Sequence, residues 1–235
     1  MKLPSAVVSG AAWFERFAGA ANNPAYHAYM RDEWGYEKRG DVPLFEKLCL
    51  EGAQAGLSWA TILAKREGYR AAFHEFDLER CAAMSDGAID ALLQQPEARV
   101  IRHIGKLRAV RTNAQCVLAL IAEREAEGRV RPPHGFFDEL VWSFVGGAPR
   151  LNAWADAASI PSRSEQGDAL SKELKRRGFS FVGPTTCYSL MQSCGLVVDH
   201  PKGSPEWRAA SERLAVGAGE DEGAAAKPPK RRRVK

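Results

Sequence analysis

Apolar residues recur at helical spacing along most of the chain, and the alternation that is typical of strands is almost absent. The clearest apolar stripe contains Leu44, Leu48, Glu51 and Ala55, at spacings of 4, 3 and 4. The only β-branched cluster, at 196–198, is short. We therefore predict an all-α fold. Further helices are predicted at 60–75, 85–94, 99–126, 135–146, 167–177 and 184–194.

Composition divides the chain into three parts. The segment 1–20 is rich in Ala and Gly, and we predict a loosely ordered N-terminal arm. The segment 21–215 carries the helical patterns and is predicted to form one domain. The tail, 216–235, is acidic at first and then rich in Ala, Pro, Lys and Arg. Because it contains too little apolar surface to order itself, we predict that it is disordered.

The positive charge of the chain is concentrated in that tail. The full sequence has 33 Lys and Arg against 29 Asp and Glu, a formal charge of +4. Six of the basic residues lie within 227–235, so residues 1–226 keep 27 basic against 29 acidic residues, a net charge of −2. The basic run is typical of a nuclear-localisation signal and equally of a flexible arm that adds non-specific affinity for nucleic acid.

The cysteine pattern argues against a disulfide-stabilised protein, and the hydropathy argues against a membrane protein. Five cysteines, an odd number without C-x-x-C spacing, favour reduced thiols over a disulfide framework or a cysteine-rich zinc site. No run of about 18 apolar residues is present, and the N-terminus is too weakly apolar for a signal peptide. We expect an intracellular protein.

Glu51 lies inside the apolar stripe of its helix, whereas Glu46 and Lys47 are expected on other faces. The helix is predicted to begin after Asp41 as its N-cap. A carboxylate on a buried helix face is costly unless it is hydrogen-bonded or has a chemical task. Two interpretations remain open: a structural cap or ion pair, and a functional group beside the nearby Trp59.

Tyr26 and Tyr29 are spaced three residues apart and therefore share a helix face. Such a pair offers aromatic surface and hydroxyl groups together. A simple packing seam explains the spacing equally well, so the spacing alone does not assign a function.

A basic helix, a short hydrophobic turn and a second helix follow one another over 167–195. This order is the helix–hairpin–helix pattern, in which free N–H groups of the hairpin and of the next helix N-terminus bind a DNA phosphate. Only one of the usual hairpin glycines, Gly183, is present. An ordinary helical hairpin is the alternative.

Together, several long motifs resemble the DNA-3-methyladenine glycosylase I family over residues 22–200. The motifs occur in the same order as in that family, so chance is a poor explanation. They are EWG (33–35), LEGAQAGLSW (50–59), KREGYR (65–70), IRHIGK (101–106), VWSFV (141–145), SKELKRRGF (171–179) and the segment 181–200.

The resemblance implies an all-α, helix–hairpin–helix DNA glycosylase that flips 3-methyladenine out of DNA and excises it. Position by position, it implies that Glu51 is the catalytic residue and hydrogen-bonds the base together with Tyr29. Trp59 would stack on the base and Tyr26 would line the pocket. The residues implied to contact DNA are Gly56 and Leu57, which fill the gap left by the flipped nucleotide, and Gly183, Thr185 and Thr186 in the hairpin unit.

The chain departs from the family at the zinc site that normally closes its two ends. The four ligand positions hold Phe17, Met30, His200 and Ser204, and one ligand in four cannot build a tetrahedral zinc site. We therefore predict no structural zinc, with apolar contacts joining the ends instead. The family's N-terminal aromatic residue aligns with Gly19, so Trp13 or Phe14 would have to replace it.

The leading hypothesis is a monofunctional glycosylase without a cofactor, since the hairpin region carries no Schiff-base lysine. A variation of this hypothesis adds other alkylated purines to its substrate range. Its partners would be double-stranded alkylated DNA and free 3-methyladenine as product, and it would act as a monomer. The alternative is a non-catalytic helix–hairpin–helix DNA-binding protein. We expect a cytoplasmic, nucleoid-associated protein, or a nuclear one if the tail is a localisation signal.

Two further assignments remain open. A basic helix face formed by Arg102, Lys106, Arg108 and Arg111 is a candidate for phosphate contacts, with a solvated surface as the alternative. Asp199 follows the second helix of the hairpin unit, where related glycosylases place a catalytic carboxylate. Helix capping is the safer assignment for it.

Overall fold

The computed structural model describes residues 12–224, and within them the fold is all-α, as predicted. A two-residue parallel pair, β1 (Arg150–Leu151) with β2 (Val197–Val198), is the exception among the described residues. Every helix in this range is too short or too polar to span a bilayer. The helices are α1 (Pro24–Asp32), α2 (Asp41–Gln54), α3 (Trp59–Leu63), α4 (Arg66–Ala72), α5 (Leu78–Ala82), α6 (Asp86–Gln94), α7 (Ile104–Ala126), α8 (Phe136–Ser143), α9 (Glu165–Arg176), α10 (Pro184–Ser193) and α11 (Pro205–Ala224).

Helix α2 lies at the centre of the molecule. It packs against α3, α7, α8 and α10, so its residues are buried on several faces and not on one stripe alone. Leu44, Phe45 and Leu48 are fully buried. Gly52 lies where α2 approaches the hairpin. A Cβ at this position would lie 3.1 Å from the Cβ of Phe181, so glycine permits the close approach. The central helix therefore joins the pocket described below to the helix–hairpin–helix unit.

The helix–hairpin–helix unit is formed by α9 and α10, as predicted. Ser164 caps α9 by accepting a hydrogen bond from the Gly167 amide at 3.1 Å. Asn113 of α7 holds the turn, because its side chain accepts from the Ser180 amide at 2.8 Å and donates to the Ser180 carbonyl at 3.2 Å. Phe181 adopts a positive φ of 57°, which is unusual for a non-glycine residue, so the turn forms without a second glycine.

Asp41 is not the N-cap of its own helix, which corrects the sequence prediction. Gly40 takes that position, and Asp41 is the first residue of α2. The Asp41 carboxylate instead caps α8, because Oδ1 accepts from the amides of Phe137 and Asp138, each at 2.9 Å. In return, Asp138 Oδ2 accepts from the Gly40 amide at 2.7 Å. Two helix starts are thus tied by reciprocal caps.

Replacing Asp41 with alanine should lower the free energy of unfolding by about 2 kcal/mol, because two buried amides at the start of α8 lose their acceptor. Urea denaturation of the purified protein measures this loss. Asp41→Asn is the matched control, since its amide oxygen can still accept both bonds, and we expect it to cost less than about 1 kcal/mol. Equal losses in the two variants would contradict the capping role.

The predicted N-terminal arm and the tail differ from expectation where they are described. Residues 12–20 contain a short 3₁₀ helix, Trp13–Arg16, and Phe14 and Ala20 are buried against the domain. Helix α11 continues past the predicted boundary at 216 and ends at Ala224. The rest of the predicted arm and tail, 1–11 and 225–235, lies outside the described residues. All five cysteines are free thiols, and four of them are buried.

Candidate active site

Glu51 is buried in the middle of the fold, with 5% of its surface exposed. Its Oε1 accepts a hydrogen bond from the Ser193 hydroxyl at 3.0 Å and lies 3.1 Å from the Lys47 ammonium. Ser193 is the last residue of α10, so the second helix of the hairpin unit holds the carboxylate directly. The Glu51 carboxylate is thus paired with Lys47 and held by Ser193, and both of these partners line the cavity described below.

Lys47 was wrongly expected on another face of the helix. It is 5% exposed, and its ammonium donates to the Tyr29 hydroxyl at 2.7 Å. The same nitrogen lies 3.5 Å from the ring centroid of Trp59. Burial lowers the pKa of Lys47, and the Glu51 carboxylate opposes that shift. The i, i+4 spacing of Lys47 and Glu51 was the sequence signal that could have revealed the pair.

Three aromatic residues predicted to bind a base converge beside this ion pair. The rings of Tyr29 and Trp59 lie 5.2 Å apart at 40°, and Tyr26 meets Tyr29 edge to face at 6.3 Å. Burial, and then the charge of Glu51, raises the pKa of Tyr26 to about 12. The same two causes raise the pKa of Tyr29 well above its usual value. Both hydroxyls therefore stay protonated at neutral pH.

A small cavity of about 30 Å³ opens beside these groups. This volume holds roughly one water molecule. A charged rim surrounds it, in which Arg66 pairs with Glu33 at 2.7 Å and Arg70 pairs with Glu46 at 2.8 Å. Tyr29, Lys47, Trp59 and Ser193 line the same cavity.

Phe14 lies against Tyr26, one of the residues predicted to line the pocket. Its ring stacks on Tyr26 with centroids 6.3 Å apart at an interplanar angle of 16°. Gly19, the aligned position, lies where a Cβ would approach the Cβ of Ala60 to 2.6 Å, next to Trp59. Trp13 packs instead near Trp34, at 5.5 Å, and edge to face against His200, at 5.9 Å. Of the two residues proposed from the sequence, only Phe14 contacts a predicted pocket residue.

The loop after α2 exposes Leu57, which is the residue implied to fill the gap in DNA. Its surface is 42% exposed, and Gly56 before it has a φ of +76° that favours glycine. Lys106 of α7 fixes this loop, because its ammonium donates to the carbonyls of Ala53 at 2.8 Å and Ala55 at 2.6 Å. Lys106 therefore stabilises the C-terminus of α2 and is not free to contact phosphate, contrary to the sequence proposal.

The remaining members of the proposed basic face divide in two. Arg108 pairs with Asp90 at 3.0 Å, and Arg111 pairs with Asp86 at 2.7 Å, so both guanidinium groups are engaged in surface ion pairs. Arg102 is exposed at the start of the segment that leads into α7. Of the four residues, Arg102 remains the candidate for a phosphate contact.

The hairpin unit presents the predicted phosphate-binding residues at the start of α10. Gly183 is the N-cap of that helix, and Thr185 is exposed in its first turn, with Thr186 half-buried beside it. A Cβ at Gly183 would meet open space, so nothing covers this backbone. Phe181 is 36% exposed next to it. A helix N-terminus in this setting favours an anion, because its free amides and its dipole point outward.

The residues at the family's zinc position do not fit a zinc ion. His200 is buried, and its ring packs edge to face against Trp34 at 5.0 Å and Trp13 at 5.9 Å. Among residues 12–224, no group of three or more His, Cys, Asp or Glu is arranged to hold a metal. Met30 is buried, and Phe17 contacts Trp13 at 5.9 Å. Aromatic packing thus joins the N-terminal segment to the segment around His200.

Asp199 is a buried hydrogen-bond centre and not a helix cap. Its Oδ1 accepts from Asn152 at 2.6 Å and from Trp154 at 2.7 Å. Its Oδ2 accepts from the Tyr188 hydroxyl at 2.5 Å and from Gln192 at 2.8 Å. The carboxylate is fully buried, and both oxygens are occupied. This arrangement ties α10 to the segment that follows β1.

Comparisons with known proteins agree with this arrangement. A family model described as methyladenine glycosylase matches residues 19–207. The chain is 46% identical over 189 residues to DNA-3-methyladenine glycosylase 1 of Escherichia coli (strain K12), covering 80% of this chain and 95% of that protein. It is 47% identical over 180 residues to DNA-3-methyladenine glycosylase of Haemophilus influenzae (strain ATCC 51907 / DSM 11121 / KW20 / Rd), covering 77% and 91%.

A solved structure extends the likeness to the fold. It describes the structural basis of 3-methyladenine recognition by 3-methyladenine DNA glycosylase I from Staphylococcus aureus. The TM-score is 0.73 at 33% identity, and the match covers 83% of this chain and 97% of that one.

Proposed function

The chain belongs to the methyladenine glycosylase family, and from that premise we infer that it excises 3-methyladenine from alkylated DNA by hydrolysing the N-glycosidic bond. The match spans residues 19–207, which contain Glu51, Tyr26, Tyr29, Trp59 and all residues that line the cavity. This match carries the inference. The relatives are glycosylases by name, which supports an enzyme and not the non-catalytic DNA-binding alternative.

The chemistry of the lesion explains why this pocket suits it. Methylation at N3 gives the purine a positive charge and weakens its bond to the sugar. Flipping also costs less for a base that is held weakly in the duplex. We propose that Glu51 accepts a hydrogen bond from the flipped base and stabilises its charge. Trp59 and Tyr29 would offer electron-rich ring surface, which attracts a cation, and Tyr26 would line the wall beside them.

Hydrolysis needs little acid–base assistance from the protein, because the cationic base is already a good leaving group. The bond between the sugar carbon and the base nitrogen breaks, and the electron pair stays with the base, which becomes neutral. Water adds its hydroxyl to the sugar carbon and releases a proton to solvent. Asp199 is excluded from activating that water, since four donors already occupy its buried carboxylate.

We propose that two exposed elements engage the duplex. Leu57, held by Gly56 and the loop that Lys106 anchors, would insert into the gap left by the flipped nucleotide. The α10 N-terminus at Gly183, Thr185 and Thr186 would bind a backbone phosphate. Ser193 connects the phosphate-binding helix to the pocket, because it belongs to α10 and its hydroxyl donates to Glu51 at 3.0 Å.

Base release from methylated DNA tests the activity. The purified protein is incubated with double-stranded DNA treated with a methylating agent, and the released bases are separated by chromatography. We expect free 3-methyladenine in amounts far above a heat-inactivated sample, with no strand cleavage. Release no greater than in the inactivated sample would contradict the assignment.

The basic tail is proposed to add affinity for DNA without adding base specificity. Residues 225–235 carry six positive charges, so deleting them should weaken binding to undamaged duplex about tenfold or more at low salt. The slope of log K against log salt should become shallower in the same titration, measured by fluorescence anisotropy. A change in which bases are excised would contradict this division of roles.

We further propose that the protein acts as a monomer, since one chain supplies both the pocket and the hairpin unit. It would work where alkylated DNA is found: in the cytoplasm on the nucleoid, or in a nucleus if the tail is a localisation signal. Gel filtration tests the first of these proposals, and imaging of the chain with and without the tail tests the second.

A further inference from the structure

One ammonium group contacts all three of the principal residues assigned to base recognition. Lys47 Nζ lies 3.1 Å from Glu51 Oε1, 2.7 Å from the Tyr29 hydroxyl and 3.5 Å from the Trp59 ring centroid. Those are the contacts expected of a flat cation in this pocket: a carboxylate, a hydroxyl and an aromatic face. The lysine side chain therefore occupies the position that the proposed function assigns to the base.

Little free space remains in the pocket beside the Lys47 side chain. The cavity beside Lys47 has a volume of about 30 Å³, enough for roughly one water molecule and too small for a purine. A base can reach the face of Trp59 that Lys47 covers only after Lys47 has moved. The pocket rim provides other acceptors, since the carboxylates of Glu33 and Glu46 line the same cavity.

We propose that Lys47 is a specificity-determining residue whose ammonium competes with the base and excludes neutral purines from the pocket. The proposal rests on the proposed function, because it concerns the same site. A cationic methylated base replaces the charge of the ammonium beside Glu51 and Trp59. A neutral adenine does not, and it would leave the Glu51 carboxylate buried without a counter-charge, which is costly. Selectivity thus arises from competition by the Lys47 ammonium against neutral purines, as well as from attraction of the cationic base to Glu51 and Trp59.

The same competition acts on the product. Cleavage of the glycosidic bond leaves its electron pair on the base, so the base loses its positive charge at the moment of release from the sugar. The neutral product no longer compensates Glu51, and the ammonium of Lys47 returns to its place. Lys47 therefore favours release of the free base and limits inhibition by product.

A purely structural role for Lys47 predicts a change in base affinity of the opposite sign. If Lys47 serves only to neutralise Glu51 and to hold it in position, removing the ammonium would damage the pocket and weaken binding of any purine. The sign of the change in affinity therefore separates the two roles.

Calorimetric titration with free 3-methyladenine and with adenine distinguishes them. We expect Lys47→Met to bind both neutral bases at least tenfold more tightly than the wild type, a difference of about 1.4 kcal/mol. Lys202→Met, which removes an exposed lysine outside the pocket, should bind them as the wild type does. Unchanged or weaker binding by a folded Lys47→Met protein would overturn the proposal.

A second measurement uses the wild-type protein alone. Reductive methylation with formaldehyde, followed by peptide mass spectrometry, reports the accessibility of each lysine. Lys47 is 5% exposed and should react slowly in the free protein. At 3-methyladenine concentrations that saturate the titration, its modification should rise several-fold while that of Lys202 stays constant. No rise at Lys47 would overturn the proposal, whereas failure of the glycosylase function would appear separately, as no base release from methylated DNA.

Discussion

The Glu51→Gln variant is expected to excise 3-methyladenine about 10²–10³ times more slowly than the wild type while remaining folded. Glutamine keeps the length of the side chain and an oxygen that can accept from Ser193, which lies 3.0 Å from Glu51 Oε1. What it removes is the negative charge that faces the cationic base. A buried charge acts more strongly than an exposed one because less solvent screens it.

Single-turnover excision with enzyme in excess over methylated DNA measures this loss without interference from product release. Glu79→Gln is the matched control, since Glu79 is exposed on α5, away from the pocket, and the variant should excise at the wild-type rate. If Glu51→Gln kept most of the wild-type rate, the charge of Glu51 would not be the source of catalysis.

The second large effect is expected at Asp199. Asp199→Ala leaves four donors around a fully buried position without their acceptor, and we expect a loss of about 3–5 kcal/mol in the free energy of unfolding. A loss of that size approaches the whole stability of many domains, so poor expression is also an expected outcome.

Asp199→Asn separates the structural from the catalytic interpretation of this residue. The amide oxygen can still accept two of the four bonds, so we expect a smaller loss than in the alanine variant. Excision per folded molecule should stay within a few-fold of the wild type, because Asp199 contacts no reacting atom. Urea denaturation and single-turnover excision measure the two quantities. A stable but inactive Asp199→Asn protein would show that the carboxylate takes part in the chemistry.

Local patterns predicted the all-α fold and most of the long helices, because such patterns act within a few residues, but the helix predicted at 60–75 is divided into α3 and α4. The helix predicted at 85–94 is α6, which Ser85 caps, and the helix predicted at 167–177 is α9, which Ser164 caps and which begins two residues before the predicted start. The predictions that differed involve contacts across the chain. Asp41 was interpreted as the cap of its own helix, yet its partners lie 96 and 97 residues away in α8. The short segment around Leu151 forms a strand only because β2 lies beside it.

In the candidate site, too, local patterns were predicted correctly and contacts between distant parts of the chain were not. Helical spacing placed Glu51 on a buried face, and the resemblance to a family assigned Tyr29 and Trp59 to the same pocket. Neither showed that Lys47 would fill it, because an isolated helical wheel leaves open which faces of a central helix become buried. Lys106 was misjudged for a related reason: its two carbonyl partners lie on α2 and just beyond it, 53 and 51 residues away.

The most direct test of the account is a crystal structure of the Lys47→Met protein with 3-methyladenine. We predict that the base stacks on Trp59, contacts the Tyr29 hydroxyl and hydrogen-bonds to Glu51 in the space that Lys47 occupies in the free protein. A base bound elsewhere on the molecule, with the space between Trp59 and Glu51 still closed, would contradict the assignment of this pocket.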